Sequence, residues 1–143
     1  MITITLCMIV KNEEDTLERC LKSVCDVMDE VIIVDTGSTD RTKEVAGKWT
    51  THVFDFAWID DFAAARNFSF AKATMDYILW LDADDVLLPE NTQKLTLLKQ
   101  SMSLELDAVS MMYHCDFDDQ GNVTLKVRRT ILVKGMLDIN KNI

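Results

Sequence analysis

Tyr77-Ile78-Leu79-Trp80-Leu81-Asp82-Ala83-Asp84-Asp85 is the stretch whose reading decides the fold. Five apolar residues in succession, too short for a helix, read as a strand covered on both faces, as in the middle of a parallel sheet. The strand then runs into three carboxylates within four residues. Carboxylates that close repel one another, and a cation compensates them. Hard divalent ions such as Mg²⁺ or Mn²⁺ take carboxylate oxygens together with substrate phosphates. The bland alternative is an acidic loop that reaches water; the apolarity of the preceding strand argues against a surface element.

Working outward, the upstream chain repeats the same design. Thr3-Ile4-Thr5-Leu6-Cys7-Met8-Ile9-Val10 is β-branched and apolar and predicts a buried strand. Asn12-Glu13-Glu14-Asp15 then predicts a helix start, with a capping Asn and acids where the helix dipole favours them. Leu17, Cys20, Leu21, Val24, Cys25 and Met28 recur at helical spacing and define one apolar face. Glu30-Val31-Ile32-Ile33-Val34 is a second strand ending at Asp35, and Ser38 or Thr39 is the expected cap of the helix after it. His52-Val53-Phe54-Asp55-Phe56 predicts a third strand, and the Ala-rich stretch 62–73 a third helix. Downstream, 89–101 reads as a helix. Two longer strands near 108–115 and 123–133 are joined by the turn Asp118-Asp119-Gln120-Gly121-Asn122. Met111-Met112-Tyr113 reads as core, with a contact surface as the alternative.

Alternating strands and helices imply an α/β fold with a mostly parallel sheet and helices on both faces. Ligands bind such sheets outside the carboxyl ends of the strands. Lys11-Asn12-Glu13, Asp35-Thr36-Gly37 and Asp82-Ala83-Asp84-Asp85 should therefore gather on one edge. Asp35 there can accept hydrogen bonds from a base or ribose, or cap the next helix. Arg66, in Asp61-Phe62-Ala63-Ala64-Ala65-Arg66-Asn67, can hold a phosphate in a forked geometry or make a surface ion pair. Asp35-Thr36-Gly37-Ser38 also spells an aspartic-protease signature, but a helix-forming segment follows it and there is no second copy.

A chain of 143 residues with 48% hydrophobic content, four glycines and one proline predicts a single domain over 1–143 with a real core. A net charge of −9 argues against nucleic-acid binding, which needs Lys and Arg to neutralise phosphates. Cys7, Cys20, Cys25 and Cys115 include no C-x-x-C pair, so a zinc site is not expected and a reduced, cytoplasmic setting is. The first ten residues do not read as a signal peptide. No apolar run approaches the ~20 residues of a membrane span.

Four blocks together resemble the family 2 glycosyltransferases, which have the GT-A fold. They are Thr5-Leu6-Cys7-Met8-Ile9-Val10-Lys11-Asn12-Glu13-Glu14, Val31-Ile32-Ile33-Val34-Asp35-Thr36-Gly37-Ser38-Thr39-Asp40, Phe62-Ala63-Ala64-Ala65-Arg66-Asn67 and Ile78-Leu79-Trp80-Leu81-Asp82-Ala83-Asp84-Asp85. The order and gaps are the family's. The resemblance implies a nucleoside-diphosphate sugar donor, a UDP-sugar first among them. Glu13, with backbone groups near Ile9 and Lys11, would hold base and ribose, and Asp35 would contact the base. Arg66 would contact ribose or diphosphate, Asp82 ribose or metal, and Asp84 would ligate Mn²⁺ or Mg²⁺. It also implies inversion by direct displacement, with a carboxylate base acting on the acceptor hydroxyl. Family catalytic domains extend well past this length, so the sheet is expected to be incomplete at the C-terminus. Asp116, Asp118, Asp119 and Asp138 offer no choice of base, and the acceptor is unassigned. Two other readings stand beside this one. Leu81-Asp82-Ala83-Asp84-Asp85-Val86-Leu87 fits the motif of a haloacid-dehalogenase-type phosphatase, with Asp82 as nucleophile and Asp84 as general acid, although three strands precede it. The chain could also be a nucleotide-binding module without catalysis.

Overall fold

The structure is a computed structural model that describes residues 1–135. β1 (Ile4–Val10) is buried at every position but Ile9. Its place explains this: it pairs in parallel with β2 (Glu30–Asp35) on one side and with β4 (Tyr77–Trp80) on the other. β3 (Val53–Asp55) adds to β2, again in parallel. Beyond β4 the direction changes. β6 (Val123–Lys134) pairs antiparallel with β4, and β5 (Ala108–Phe117) pairs antiparallel with β6. The six strands run in the order β3-β2-β1-β4-β6-β5. The expected parallel sheet thus occupies four strands, and a hairpin extends it among the described residues.

Three helices, α1 (Leu17–Val24), α2 (Thr42–Gly47) and α4 (Pro89–Ser101), supply one core face, and α3 (Phe62–Lys72) the other. Successive side chains of a strand point to opposite faces. Leu6, Met8 and Val10 of β1 therefore meet Leu17, Cys20, Leu21 and Val24 of α1. On the reverse side Cys7, Ile32, Val34 and Ile78 meet Phe54, Phe68 and Phe70.

The structure corrects two helix starts. α1 begins at Leu17 rather than near Asn12. Asn12 adopts φ 52°, a left-handed conformation that Asn tolerates, and its side chain serves a neighbouring loop instead. Its Oδ1 accepts the Thr39 N–H at 2.8 Å, and its own N–H donates to Ser38 Oγ at 2.9 Å. With Ser38 and Thr39 engaged there, α2 begins at Thr42, whose N–H donates to Asp40 Oδ1 at 2.9 Å. A third correction falls on Met111-Met112-Tyr113. β5 is the outer strand of the described sheet, so Met111 packs partly against the core while Met112 is 53% exposed.

Candidate functional site

The chain lays β1, β2 and β3 outward in one direction, then returns through α3 to place β4 on the opposite side of β1. Such a reversal opens a crevice between the strand ends. Here it lies between β1 and β4, lined by Ile9, Arg66, Trp80, Leu81 and Asp82 over Cys7, Ser69 and Phe70. α3 begins at the rim, where the Asp61 side chain accepts the Ala64 N–H. It is seated by buried Ala65 and Ser69, whose carbonyl accepts the Cys7 thiol proton at 3.5 Å. That seating holds the Arg66 guanidinium 4.1 Å from the centre of the Trp80 ring. Arg66 makes no ion pair among the described residues, contrary to the surface-pair reading.

Asp82, Asp84 and Asp85 each offer an oxygen within 4.8 Å of the others. Their surroundings separate their roles. Asp85 is buried, one oxygen accepting the Asp82 N–H at 2.8 Å and the other the Tyr113 hydroxyl. Its own N–H donates to the Asp82 carbonyl at 3.0 Å, which closes the turn and buries Ala83. Asp82 and Asp84 are left as open carboxylates. Burial and then the charge of Asp85 push Asp82 above the ordinary carboxylate range, while Arg129 and Arg66 pull it back. Burial, the bond to Asp85 and the surrounding acids raise the Tyr113 phenol. The Cys20 thiol, which donates to the Asp82 carbonyl, is pushed up to about 12, by burial first and then by the nearby acids.

Asp35 is 2% exposed and lies opposite Val10 in the β1–β2 register. Its Oδ1 accepts the N–H groups of Gly37 and Ser38, both at 2.9 Å, in a turn that Gly37 completes at φ 111°. Its Oδ2 is buried with no hydrogen-bond partner. Asp35 thus braces the loop with one oxygen and does not cap α2, which begins at Thr42. A buried acceptor without a donor is costly, so the second oxygen is suited to a ligand's N–H. Asp82 follows two residues after the end of β4, and Asp35 ends β2 opposite Val10 of β1. Asp35 and Asp82 therefore both lie at the carboxyl edge of the parallel strands. Asp35 itself does not line the crevice.

Lys11 is exposed. Glu13 is half-buried, and its carboxylate accepts the Thr16 hydroxyl at 2.9 Å while its N–H donates to Thr42 Oγ1 at 2.8 Å. Among the residues considered as a base, Asp118 accepts the N–H groups of Gln120 and Asn122 and is a turn former. Asp116 and Asp119 are exposed on the hairpin, and Asp138 lies outside the described residues.

Sequence reading missed Arg129. From β6 its guanidinium lies 4.4 Å from the Trp80 ring centre, 4.6 Å from that of Tyr113, and 3.7 Å from Asp82 Oδ2. A signal existed: Arg128 and Arg129 are adjacent in a strand, so one of them had to face the covered side. What could not be read is that β6, rather than β5, pairs with β4.

Comparison with known proteins agrees with this geometry. The family model described as glycosyl transferase family 2 matches residues 5–129. The SPbeta prophage-derived glycosyltransferase SunS of Bacillus subtilis is 30% identical over 136 residues, covering 93% of this chain and 32% of that protein. A TPR repeat-containing protein of Synechococcus elongatus is 50% identical over 90 residues, covering 63% of this chain and 22% of its own length. The chain thus spans a third or less of these curated relatives. Glucosyl-3-phosphoglycerate synthase from Mycobacterium tuberculosis, solved in complex with Mn²⁺ and UDP-glucose, matches with a TM-score of 0.52 and 26% identity over 59% of this chain and 34% of that one. S. aureus TarS matches in fold, with a TM-score of 0.55 and 20% identity, over 67% and 32% of the two chains. The phosphatase reading of Leu81 to Leu87 is not kept, because the matched segment runs through that motif. Motif order, strand order and family model coincide over the same residues, and the chain belongs to glycosyl transferase family 2, with its GT-A fold.

Proposed function

We propose that this chain forms the donor site of a metal-dependent, inverting glycosyltransferase that uses a nucleoside-diphosphate sugar, a UDP-sugar first among them. One observation carries the reading: open Asp82 and Asp84 stand at the sheet's switch point beside two guanidiniums that no tight ion pair occupies. Asp84 and Asp82 suit Mn²⁺ or Mg²⁺, which bind oxygen donors from one or two carboxylates together with phosphate. The ion supplies a Lewis acid for the charge that develops on the diphosphate leaving group. Asp35 Oδ2 accepts an N–H of the base. Ile9 and Lys11, through their backbone, and Glu13 flank base and ribose. Arg66 binds ribose or diphosphate, and Asp82 orients the ribose where it does not touch the metal. The Mycobacterium enzyme's complex with Mn²⁺ and UDP-glucose supports the choice of donor and ion. Four free thiols support a cytoplasmic setting, and no helix among the described residues is long and apolar enough to cross a membrane.

Calorimetry with UDP, GDP and TDP, with and without Mn²⁺, tests this. Asp84→Ala is expected to lose the Mn²⁺-dependent part of nucleotide affinity while melting at or above the wild-type temperature, since it removes a repelling charge. Where sugar transfer is measurable, its rate should fall roughly a hundredfold or more. A variant with wild-type Mn²⁺ dependence would refute the metal assignment. Binding by the wild type without transfer or hydrolysis would favour a nucleotide-binding module instead.

A further inference from the structure

Arg129 stands beside the open acids but has so far been given no ligand to bind, and its surroundings are those of a binding group. Its side chain is 28% exposed, and its guanidinium carbon lies over two aromatic rings, those of Trp80 and Tyr113. Arg66 approaches the same Trp80 indole from α3. Bringing two cations to one ring costs repulsion that the ring's quadrupole only partly offsets. A guanidinium carries five N–H donors in its plane, so stacking covers the face and leaves the edge to be satisfied. For Arg129, Asp82 Oδ2 at 3.7 Å lies outside hydrogen-bond distance. Among the described residues neither guanidinium has a hydrogen-bonded carboxylate.

The charges point the same way. Asp82, Asp84 and Asp85 together carry −3, of which a divalent ion cancels two. Arg66 and Arg129 then leave the pocket one positive charge in excess, which favours an anionic diphosphate. Planar forks are the side chains suited to bidentate phosphate recognition.

Resting on the donor-site reading, we propose that Arg129 is a second diphosphate-binding arm of the crevice, with Trp80 the shared platform that positions it and Arg66. Without ligand Arg129 leans toward Asp82. With a cation on Asp82 and Asp84 it turns its donor edge to the diphosphate. The site therefore favours nucleoside diphosphates over nucleosides through Arg129 as well as through the metal.

The test compares UDP with uridine at saturating Mn²⁺, by calorimetry on the full chain; if GDP or TDP binds the wild type more tightly, that nucleotide and its nucleoside replace them. Arg129→Gln should weaken the diphosphate roughly ten- to a hundredfold, the loss of charge-assisted hydrogen bonds, and leave the nucleoside unchanged. Arg129→Lys should recover only part of the loss, because it keeps the charge and lacks the fork. Thermal melts of both variants identify any loss of fold. A wild-type diphosphate-to-nucleoside ratio in Arg129→Gln overturns the arm and leaves the donor site standing. Equal weakening of both ligands, or a melted fold in Gln with full affinity in Lys, assigns Arg129 to structure alone and also overturns it. A wild type that does not prefer any diphosphate to its nucleoside overturns the arm and the donor site together.

Discussion

At the scale of single residues, the three acids after β4 show how one motif divides its work. Asp85 is the buried member, and its oxygens are committed to the Asp82 N–H and the Tyr113 hydroxyl. Tyr113→Phe keeps the ring under Arg129 but leaves a buried carboxylate oxygen without a donor. Such a loss costs about 1–3 kcal/mol, and more where the acceptor is charged. Urea unfolding should show that drop, while nucleotide affinity in Mn²⁺ changes little. The acidic motif was legible because three acids after an apolar strand are chemically conspicuous. Which of them stays open was not, since Tyr113 arrives from a strand 28 residues away in sequence. Arg129 was hidden for the same reason: its partners, Trp80 and Tyr113, sit on two other strands.

At the scale of elements, β1, β2 and β4 were readable from composition alone, since a strand buried on both faces must be apolar throughout. The apolar face of α1 was readable from its period, with Leu17, Cys20, Leu21 and Val24 all buried. The start of α1 was not, because Asn12 had an alternative use in bonding the next loop. The pairing of β6 with β4 was also out of reach, being a long-range choice. It depends on a close approach at Gly135, whose N–H donates to the Asp76 carbonyl at 2.7 Å. A Cβ added there would lie 2.4 Å from the Met75 carbonyl oxygen, and backbone cannot step aside as a side chain would. Gly135→Ala should therefore destabilise by about 1–3 kcal/mol, the usual range for overpacking, or more. Amide exchange at Ile78 and Val133, partners in the β4–β6 register, should quicken more than exchange in β2.

At the scale of the whole molecule, the two ends of the sheet use carboxylates in opposite ways. At the end away from the crevice, Asp29 accepts the Ile4 N–H and the Lys99 ammonium, Asp76 accepts the Thr3 N–H, and Glu30 accepts Thr5 and Thr74. Burial acts to raise Asp29 and Glu30, but these hydrogen bonds outweigh it and hold both below their ordinary values. A carboxyl lowered on folding stabilises fully above its unfolded value, about 4, and the contribution is lost as pH falls through the lower folded value. Asp82 is raised and has the opposite sign, so its ionisation opposes folding at neutral pH. Mild acidification from neutrality should therefore cost little stability, with a steep fall in melting temperature below about pH 4. Melts across pH 3 to 7 by circular dichroism would check this, and a steep loss between 7 and 5 would contradict it.

The bonds that displaced the two helix starts bear on the same edge. Thr36 N–H reaches the Val10 carbonyl, Glu13 N–H reaches Thr42, and Arg41 N–H reaches Glu14, in addition to the bonds made by Asn12. The tips of β1 and β2 consequently order together as the chain folds. On the donor-site proposal, a nucleotide settling beside Asp35 would meet walls already in position, with little conformational entropy left to lose at capture.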